Sequence, residues 1–567
     1  MANKLDSRRR KMALWLGALL LYLGATEVSA RVEIGDFEVS GEIFVLAEAR
    51  IGGSPDQPPQ FGLAVAPDTF LGPTELGTPS NGEDYDTWNA LRTEFNIEFV
   101  YKGIPHVTPV VKLRGFYDGM YDVNDRSSAI AQDWKTNLGS SPQDKSDPFV
   151  REAYLDINYE ALWVRLGRQI VTWGRSDGVT VLDVVTPRNF RNPLTFEQER
   201  FMIPQDMLNI KLDLDSIEWL PGITKELQVI WNWDYTPARF PGFKAREEGQ
   251  HPWTLQVVDY ANQIINVSDG LFGEPDFFDG DAWDEGSTSD KSEYFVRWRA
   301  RTGTGDSIFS DMTYSIHYAD LIEDIPVYRL GNRIDAGFGF NIAGPRAIGG
   351  GIDFDRHRYS MAGLSFDKAL MSLPGPLEGT VLRAELVYNF DQLYYEPDLE
   401  TIESDSITTV IGLDQYLYLG PKSLFKTPWF VSVQYWRDQI LDKAGSGQFT
   451  NLGTVACDAH PGCGDRGYVI GGASTGFDGL RDETRNVLTL FMFNDFLPGK
   501  TLHVELFALH ELGSRQNATW LRGVVGYNFN RNLSGRLGVN YLTGESDAFF
   551  GQFERNTSAF IELKVTF

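Results

Sequence analysis

The last ten residues constrain this chain more than any other stretch. Between Ser558 and Phe567, residues Ala559, Ile561, Leu563, Val565 and Phe567 share one face of an extended chain. Ser558, Glu562, Lys564 and Thr566 share the other, with Phe560 the one apolar residue among them. Alternation of period two marks a strand with one dry and one wet face. In a soluble domain such a strand is ordinarily followed by a turn or a frayed tail; here the sequence ends on the aromatic Phe567. Two architectures use a strand of this kind, the edge of a soluble sandwich and the wall of a membrane barrel.

The same division recurs along the chain. In 87–101, Leu91, Thr93, Phe95, Ile97 and Phe99 oppose Arg92, Glu94, Asn96 and Glu98. In 207–215, Leu208, Ile210, Leu212 and Leu214 oppose Asn209, Lys211 and Asp213, and in 226–235, Val229, Trp231, Trp233 and Tyr235 oppose Gln228, Asn232 and Asp234. Val296, Trp298 and Ala300 oppose Arg297, Arg299 and Arg301; Leu382, Ala384, Leu386 and Tyr388 oppose Arg383, Glu385 and Asn389. About eighteen such segments can be laid out, each near the ~9–11 residues that cross an outer membrane when tilted, with sixteen as the alternative count. An Arg or Lys at the lipid midplane costs ~2–4 kcal/mol, so the charged rows face an enclosed interior. The Trp-rich rows suit lipid and its interfaces. The expected fold is therefore all-β, a transmembrane antiparallel β-barrel with short periplasmic turns and long extracellular loops.

Connections test this independently. Every second one is short, near Gly103, Ala161, Leu220, Thr304, Ser372, Ser423, Pro498 and Asn530. The others include the long stretches 51–86, 119–147, 174–206, 237–291, 321–355 and 439–483. That asymmetry is what an even-stranded bacterial barrel with a periplasmic N-terminus requires. No linker or repeat divides the chain, so 31–567 reads as one barrel.

The N-terminus points to the same compartment. Arg8, Arg9, Arg10 and Lys11 precede an apolar run, Met12 to Leu23, and Val28-Ser29-Ala30 is a small-residue cleavage site. Residues 1–30 thus read as a signal peptide, with an uncleaved anchor as the alternative; the run is short of the ~20 residues a spanning helix needs. With 51 basic against 78 acidic residues the formal charge is −27, which argues against nucleic acid as a partner. Cys457 and Cys463 are read as a local disulfide in an oxidising compartment, a metal site with His460 being the weaker reading. The acidic loop 273–293 lacks the spacing of a known calcium loop, so no metal and no cofactor is assigned. No Ser lies in a G-x-S-x-G context, and His503 and His510 read as polar wall residues, so no catalytic residues are assigned and no enzyme is expected.

The most distinctive stretch runs from Arg165 to Asp206. It holds Gly167-Arg168-Gln169, then Trp173-Gly174-Arg175-Ser176-Asp177, then Val179 to Val185 leading into Thr186-Pro187-Arg188-Asn189. The pattern G-R-Q-x-V-x-W-G followed by V-L-D-V-x-x-P resembles an uncharacterised family of proteobacterial outer-membrane barrels. The terminal strand resembles the closing strand of such barrels, whose final Phe helps the assembly machinery recognise the chain. The resemblance implies a conduit for a hydrophobic or amphipathic solute, together with a periplasmic or inner-membrane transport partner, and it carries no assigned catalytic residues. Outer-membrane lipids, the barrel-assembly machinery and a small-molecule solute are the remaining partners expected.

The loop 174–206 is dense in apolar residues and is expected to fold inward. Arg165, Gln169, Asp177, Asp183, Arg188 and Arg191 are the candidates for a constriction, and pairing merely to tolerate burial is the structural alternative. Arg297, Arg299 and Arg301, at spacing two, form a ladder on one inner wall that could steer anions, with Arg383 and Glu385 further along the wall. Arginine–carboxylate ladders of this kind also serve structure alone. A channel for a hydrophobic or amphipathic solute is the first functional reading; a porin for polar anions and a non-transporting scaffold are the alternatives.

Overall fold

Eighteen strands close into an antiparallel ring in the computed structural model. The structure describes residues 31–51, 88–123, 135–138, 147–174, 179–190, 192–194, 198–239, 253, 291–305, 309–324, 327–330, 352–355, 357–371, 375–395, 401–420, 427–441, 448–449, 454–455, 468–469, 481–482, 484–497, 499, 501–513, 517–544 and 548–567. In chain order the barrel strands are β1 (Phe37–Arg50), β2 (Trp88–Tyr101), β3 (Val107–Asp118), β4 (Val150–Tyr159), β5 (Leu162–Gln169) and β6 (Gln205–Asp213). They continue with β7 (Thr224–Asn232), β8 (Glu293–Arg301), β9 (Met312–Ile322), β10 (Arg358–Leu370), β11 (Thr380–Tyr395) and β12 (Thr401–Leu417). The last six are β13 (Trp429–Ile440), β14 (Thr484–Phe496), β15 (Leu502–Glu511), β16 (Ala518–Asn528), β17 (Leu533–Gly544) and β18 (Ser558–Thr566). Each strand pairs with its neighbours in sequence, and β18 returns to β1 with Arg50 opposite Ser558 and Glu42 opposite Thr566. Among the described residues no helix is long and apolar enough to cross a membrane.

The seam is finished by the terminal residue. Phe567 N–H donates to Gly41 O at 2.9 Å and Gly41 N–H donates back to Phe567 O at 2.8 Å. A Cβ on Gly41 would lie 2.8 Å from the Phe567 ring, so glycine is what lets the ring lie there. Below this point the free side of β1 pairs with a short leading strand, Val32–Ile34, which turns back at Gly35. Val32–Ile34, Phe567 and the strand ends that flank the short connections lie at one end of the barrel, and the strand ends that flank the long connections lie at the other.

Burial is inverted relative to a soluble sandwich. Ile561 is 53% exposed and Ile316 50%, whereas Glu94 is 0% and Glu562 3% exposed. Uncompensated charge is costly inside a low-dielectric interior, and the inner rows resolve this by pairing. Arg114 makes a bidentate bond to Glu94 (2.7 and 3.1 Å), Lys112 reaches Glu152 at 3.0 Å, and Arg485 bonds Glu511. The apolar rows have no such cover and form the outer face.

Two departures from strict alternation matter below. Between Lys112/Leu113 and Glu152/Val150 the register slips, leaving Arg151 as an extra residue turned inward beside Glu152. The second concerns β7, which ends at Asn232. Tyr235, placed on the outer face by simple alternation, is buried at 6% exposure, with its hydroxyl donating to Asp324 Oδ1 at 2.7 Å. The chain has already left the wall there, and the phenol follows the need of its O–H for a partner.

Candidate functional site

The connection between β5 and β6 runs against the inner wall in its described parts, residues 170–174, 179–190, 192–194 and 198–204. Its start is shaped by Gly167 in β5, whose φ of +124° suits glycine; a Cβ there would be 2.3 Å from Ala153 O. Beyond Gln169 two arms run side by side. Val171 N–H donates to Thr186 Oγ1 and that hydroxyl donates back to Val171 O, both at 2.9 Å. Trp173 N–H donates to Asp183 Oδ1 at 3.1 Å. Gly174 permits the closest approach of the arms, since a Cβ there would be 2.8 Å from the Thr180 side chain.

The base of this finger is tied by backbone. Ile203 N–H donates to Pro187 O (2.8 Å), Phe190 N–H to Arg239 O (2.8 Å) and Arg239 N–H to Arg188 O (3.0 Å). Arg151, the bulge residue, donates to Met202 O at 2.7 Å. Arg200 bonds Glu562 of β18 at 2.9 Å while its guanidinium lies 3.6 Å over Phe44 of β1. Arg522 of β16 donates to Leu194 O at 3.4 Å.

The arms themselves pack on an apolar belt of the inner wall. Val171, Trp173, Leu182 and Val185 form one cluster with Met207, Ile230, Phe295, Ala319, Leu321, Met361 and Val387, contributed by β6 to β11. Farther round, Val179 and Val181 pack against Val410, Trp436 and Val487 of β12, β13 and β14. Because β13 stands eight strands on from β5 in a ring of eighteen, the contacts of the segment follow the inner wall nearly half way round the ring. Trp173 is its largest buried anchor: 4% exposed, edge-on to Phe295 (5.8 Å), and donating Nε1–H to Gln228 Oε1 at 3.1 Å. Between the two apolar patches stands Glu385 of β11, 2% exposed, whose Oε2 accepts Val181 N–H (3.2 Å) and Leu182 N–H (3.4 Å).

The sequence candidates fall into three groups. Asp183 and Arg188 face their own segment: Arg188 donates to Thr180 Oγ1 at 3.0 Å and lies 3.9 Å from Asp183, while burial pushes the Asp183 carboxyl up despite Arg188 and the N–H of Trp173. Glu385 meets the segment directly. The rest belong to the wall. Arg165 is bidentate to Asp156 (2.6 and 2.8 Å), Arg297 bonds Glu226 at 3.1 Å, and Arg383 lies 2.7 Å from Asp414. Gln169, fully buried, donates to Met207 O at 3.0 Å and so braces β5 on β6. Arg299 and Arg301 line a cleft of ≈ 690 Å³ at the short-turn end, with Trp163, Lys211 and Glu226 on its other sides. Asp177, Arg191, Cys457 and Cys463 lie outside the described residues, as does the acidic loop from 273 to 290.

Sequence reasoning passed over Arg151, Arg200 and Arg522, and quoted Trp173 in the motif without giving it a role. Arg151 left a trace, since Arg151-Glu152 puts two charges in succession on a strand that should alternate. His503 pairs with Asp495 (2.7 Å) and His510 with Thr519 (2.9 Å), and among the described residues no cluster of His, Cys, Asp or Glu is arranged to hold a metal ion.

Comparison with known proteins adds the following. The model of a family described as "Protein of unknown function (DUF1302)" matches residues 12–399. No curated protein matches the chain. Among solved structures, OpdK of Pseudomonas aeruginosa with vanillate aligns at 10% identity over 94% of this chain and 98% of its own, with a TM-score of 0.40. OccAB2 of Acinetobacter baumannii aligns at 10% identity over 94% and 98%, with a TM-score of 0.42.

Proposed function

The chain belongs to the DUF1302 family of unknown function, and we propose from its own geometry that it is an outer-membrane channel narrowed by the 170–204 segment. In this reading the short-turn end is periplasmic and the long connections are extracellular. The observation that carries it is the finger spanning from β5 to the β12–β14 wall inside a closed ring. A ring whose outer face is apolar and whose inner face is ionic needs lipid outside. A scaffold with no passage would have no use for a partition held by side chains from so many strands.

We assign the solute to the hydrophobic or amphipathic class. Met207, Ile230, Phe295 and Met361 point into the lumen on strands otherwise polar inside, and an apolar body could occupy that belt in place of the finger. The reading as a porin for polar anions rests on the Arg297–Arg301 ladder. Arg297, Arg165 and Arg383 each already face a carboxylate, which favours wall-bracing over anion steering.

Planar-bilayer conductance and liposome swelling test both points. Removing 179–190 should raise conductance, and an amphipathic aromatic solute should enter liposomes faster than a sugar of equal size. No rise in conductance removes the constriction. Faster entry of the sugar, or of a small inorganic anion, moves the assignment to the polar reading.

A further inference from the structure

The finger is fixed at its base and held differently at its far end, and the geometry points to the far end as a releasable tongue latched by Glu385. This rests on the channel reading above and concerns how that channel opens. The base is a backbone platform: 187–190 bonds to 201–203 and to Arg239, and Arg151 fastens Met202 O to β4. At the far end, by contrast, the described hydrogen bonds from segment backbone to wall are those of Val181 and Leu182 N–H to one carboxylate oxygen of Glu385. The other contacts there are apolar, Val179 and Val181 on Val410, Trp436 and Val487. Apolar contact is non-directional and slides; a carboxylate accepting two N–H groups fixes position. Glu385 therefore sets where the tongue rests, and its place between the two apolar patches makes it the point at which docking is registered.

What lies beside the tongue fits release. Arg383 and Asp414 pair at 2.7 Å on the same wall, and Ser432 Oγ, on the adjoining inner row of β13, is buried with no hydrogen-bond partner among the described residues. Swinging 179–183 off β11–β14 would join this polar strip to the lumen below, while the base stays bonded.

The test uses the full-length protein in planar bilayers. Glu385→Ala removes the acceptor and should raise the open population about tenfold or more, as expected for loss of charge-assisted hydrogen bonds. Glu385→Gln keeps one acceptor oxygen and should fall between. A Val181→Cys/Val410→Cys pair, compared with the wild type under the same redox conditions, should hold the channel in its low-conductance state when oxidised and free it when reduced. If Glu385→Ala conducts like the wild type while removal of 179–190 raises conductance, the latch is wrong and the channel reading stands. If the oxidised cysteine pair conducts as fully as the reduced one, the tongue does not move and the proposal falls. If neither Glu385→Ala nor the deletion changes conductance, the channel reading itself fails.

Discussion

Trp173→Ala should loosen the finger while leaving the barrel intact. The indole is 4% exposed, meets Phe295 and His317 at 5.8 and 4.9 Å, and donates Nε1–H to Gln228 at 3.1 Å. Truncating a buried Trp costs ~3–5 kcal/mol. None of that belongs to the strand ladder, since Trp173 lies outside the strands and its partners are wall side chains. The loss therefore falls on the docked-to-released equilibrium. At 1.4 kcal/mol per decade the docked fraction relative to released should drop by roughly two to three and a half powers of ten. The readout that follows it is open probability in planar bilayers. Trp173→Phe keeps the ring contacts and forfeits the hydrogen bond, about 1 kcal/mol, so it should shift the equilibrium only several-fold. A Trp173→Ala protein that folds normally and conducts like the wild type would refute the idea that apolar docking holds the segment.

Two further outcomes follow from the charges. Burial raises the Asp183 carboxyl above its ordinary range, so the docked finger binds a proton more tightly than a released, solvated one. Docking is then favoured below the ordinary carboxylate range and weakens as pH rises through the raised value, and conductance should climb across that window; Asp183→Asn should flatten the profile, and an unchanged slope would exclude this linkage. Among ion pairs, Arg114→Ala strands the fully buried Glu94 and should cost ~3–5 kcal/mol in thermal unfolding from detergent. Arg301→Ala, half exposed and 4.0 Å from Asp311, should stay within ~0.5 kcal/mol.

The barrel wall was legible because lipid imposes its rule at each crossing. Rows such as Phe95, Ile97 and Phe99 against Glu94, Asn96 and Glu98 follow one physical demand, and β2 keeps it from Leu91 to Phe99, past an irregular start where Asn89 and Ala90 are both buried. The partners of the finger obey no local rule. Val181 and Leu182 meet Glu385 across 204 and 203 positions, and Arg200 meets Glu562 across 362. Nothing in the spacing of either partner announces the other. The bulge that turns Arg151 inward is likewise decided by how β3 and β4 pair, which neither strand's sequence states alone.

Where the finger docks was nonetheless written as a fault in the pattern. Alternation fails at Val229-Ile230-Trp231 and at Tyr294-Phe295-Val296, where both faces of the strand are apolar. Trp231 and Tyr294 look outward at 42% and 49% exposure, so Ile230 and Phe295 must look inward, and both are fully buried. Ile230 stands opposite Phe295, Phe295 opposite Ala319, and Ala319 opposite Met361, which makes one continuous apolar row across β7 to β10. Such a row facing water would forfeit about 25 cal/mol for every Å² left wet. Some apolar element must therefore cover it from within, and the chain offers one of the right character in 179–185, where Val, Leu and Val recur beside Trp173. In a barrel of this kind, runs of three apolar residues inside alternating strands mark the footprint of whatever fills the lumen.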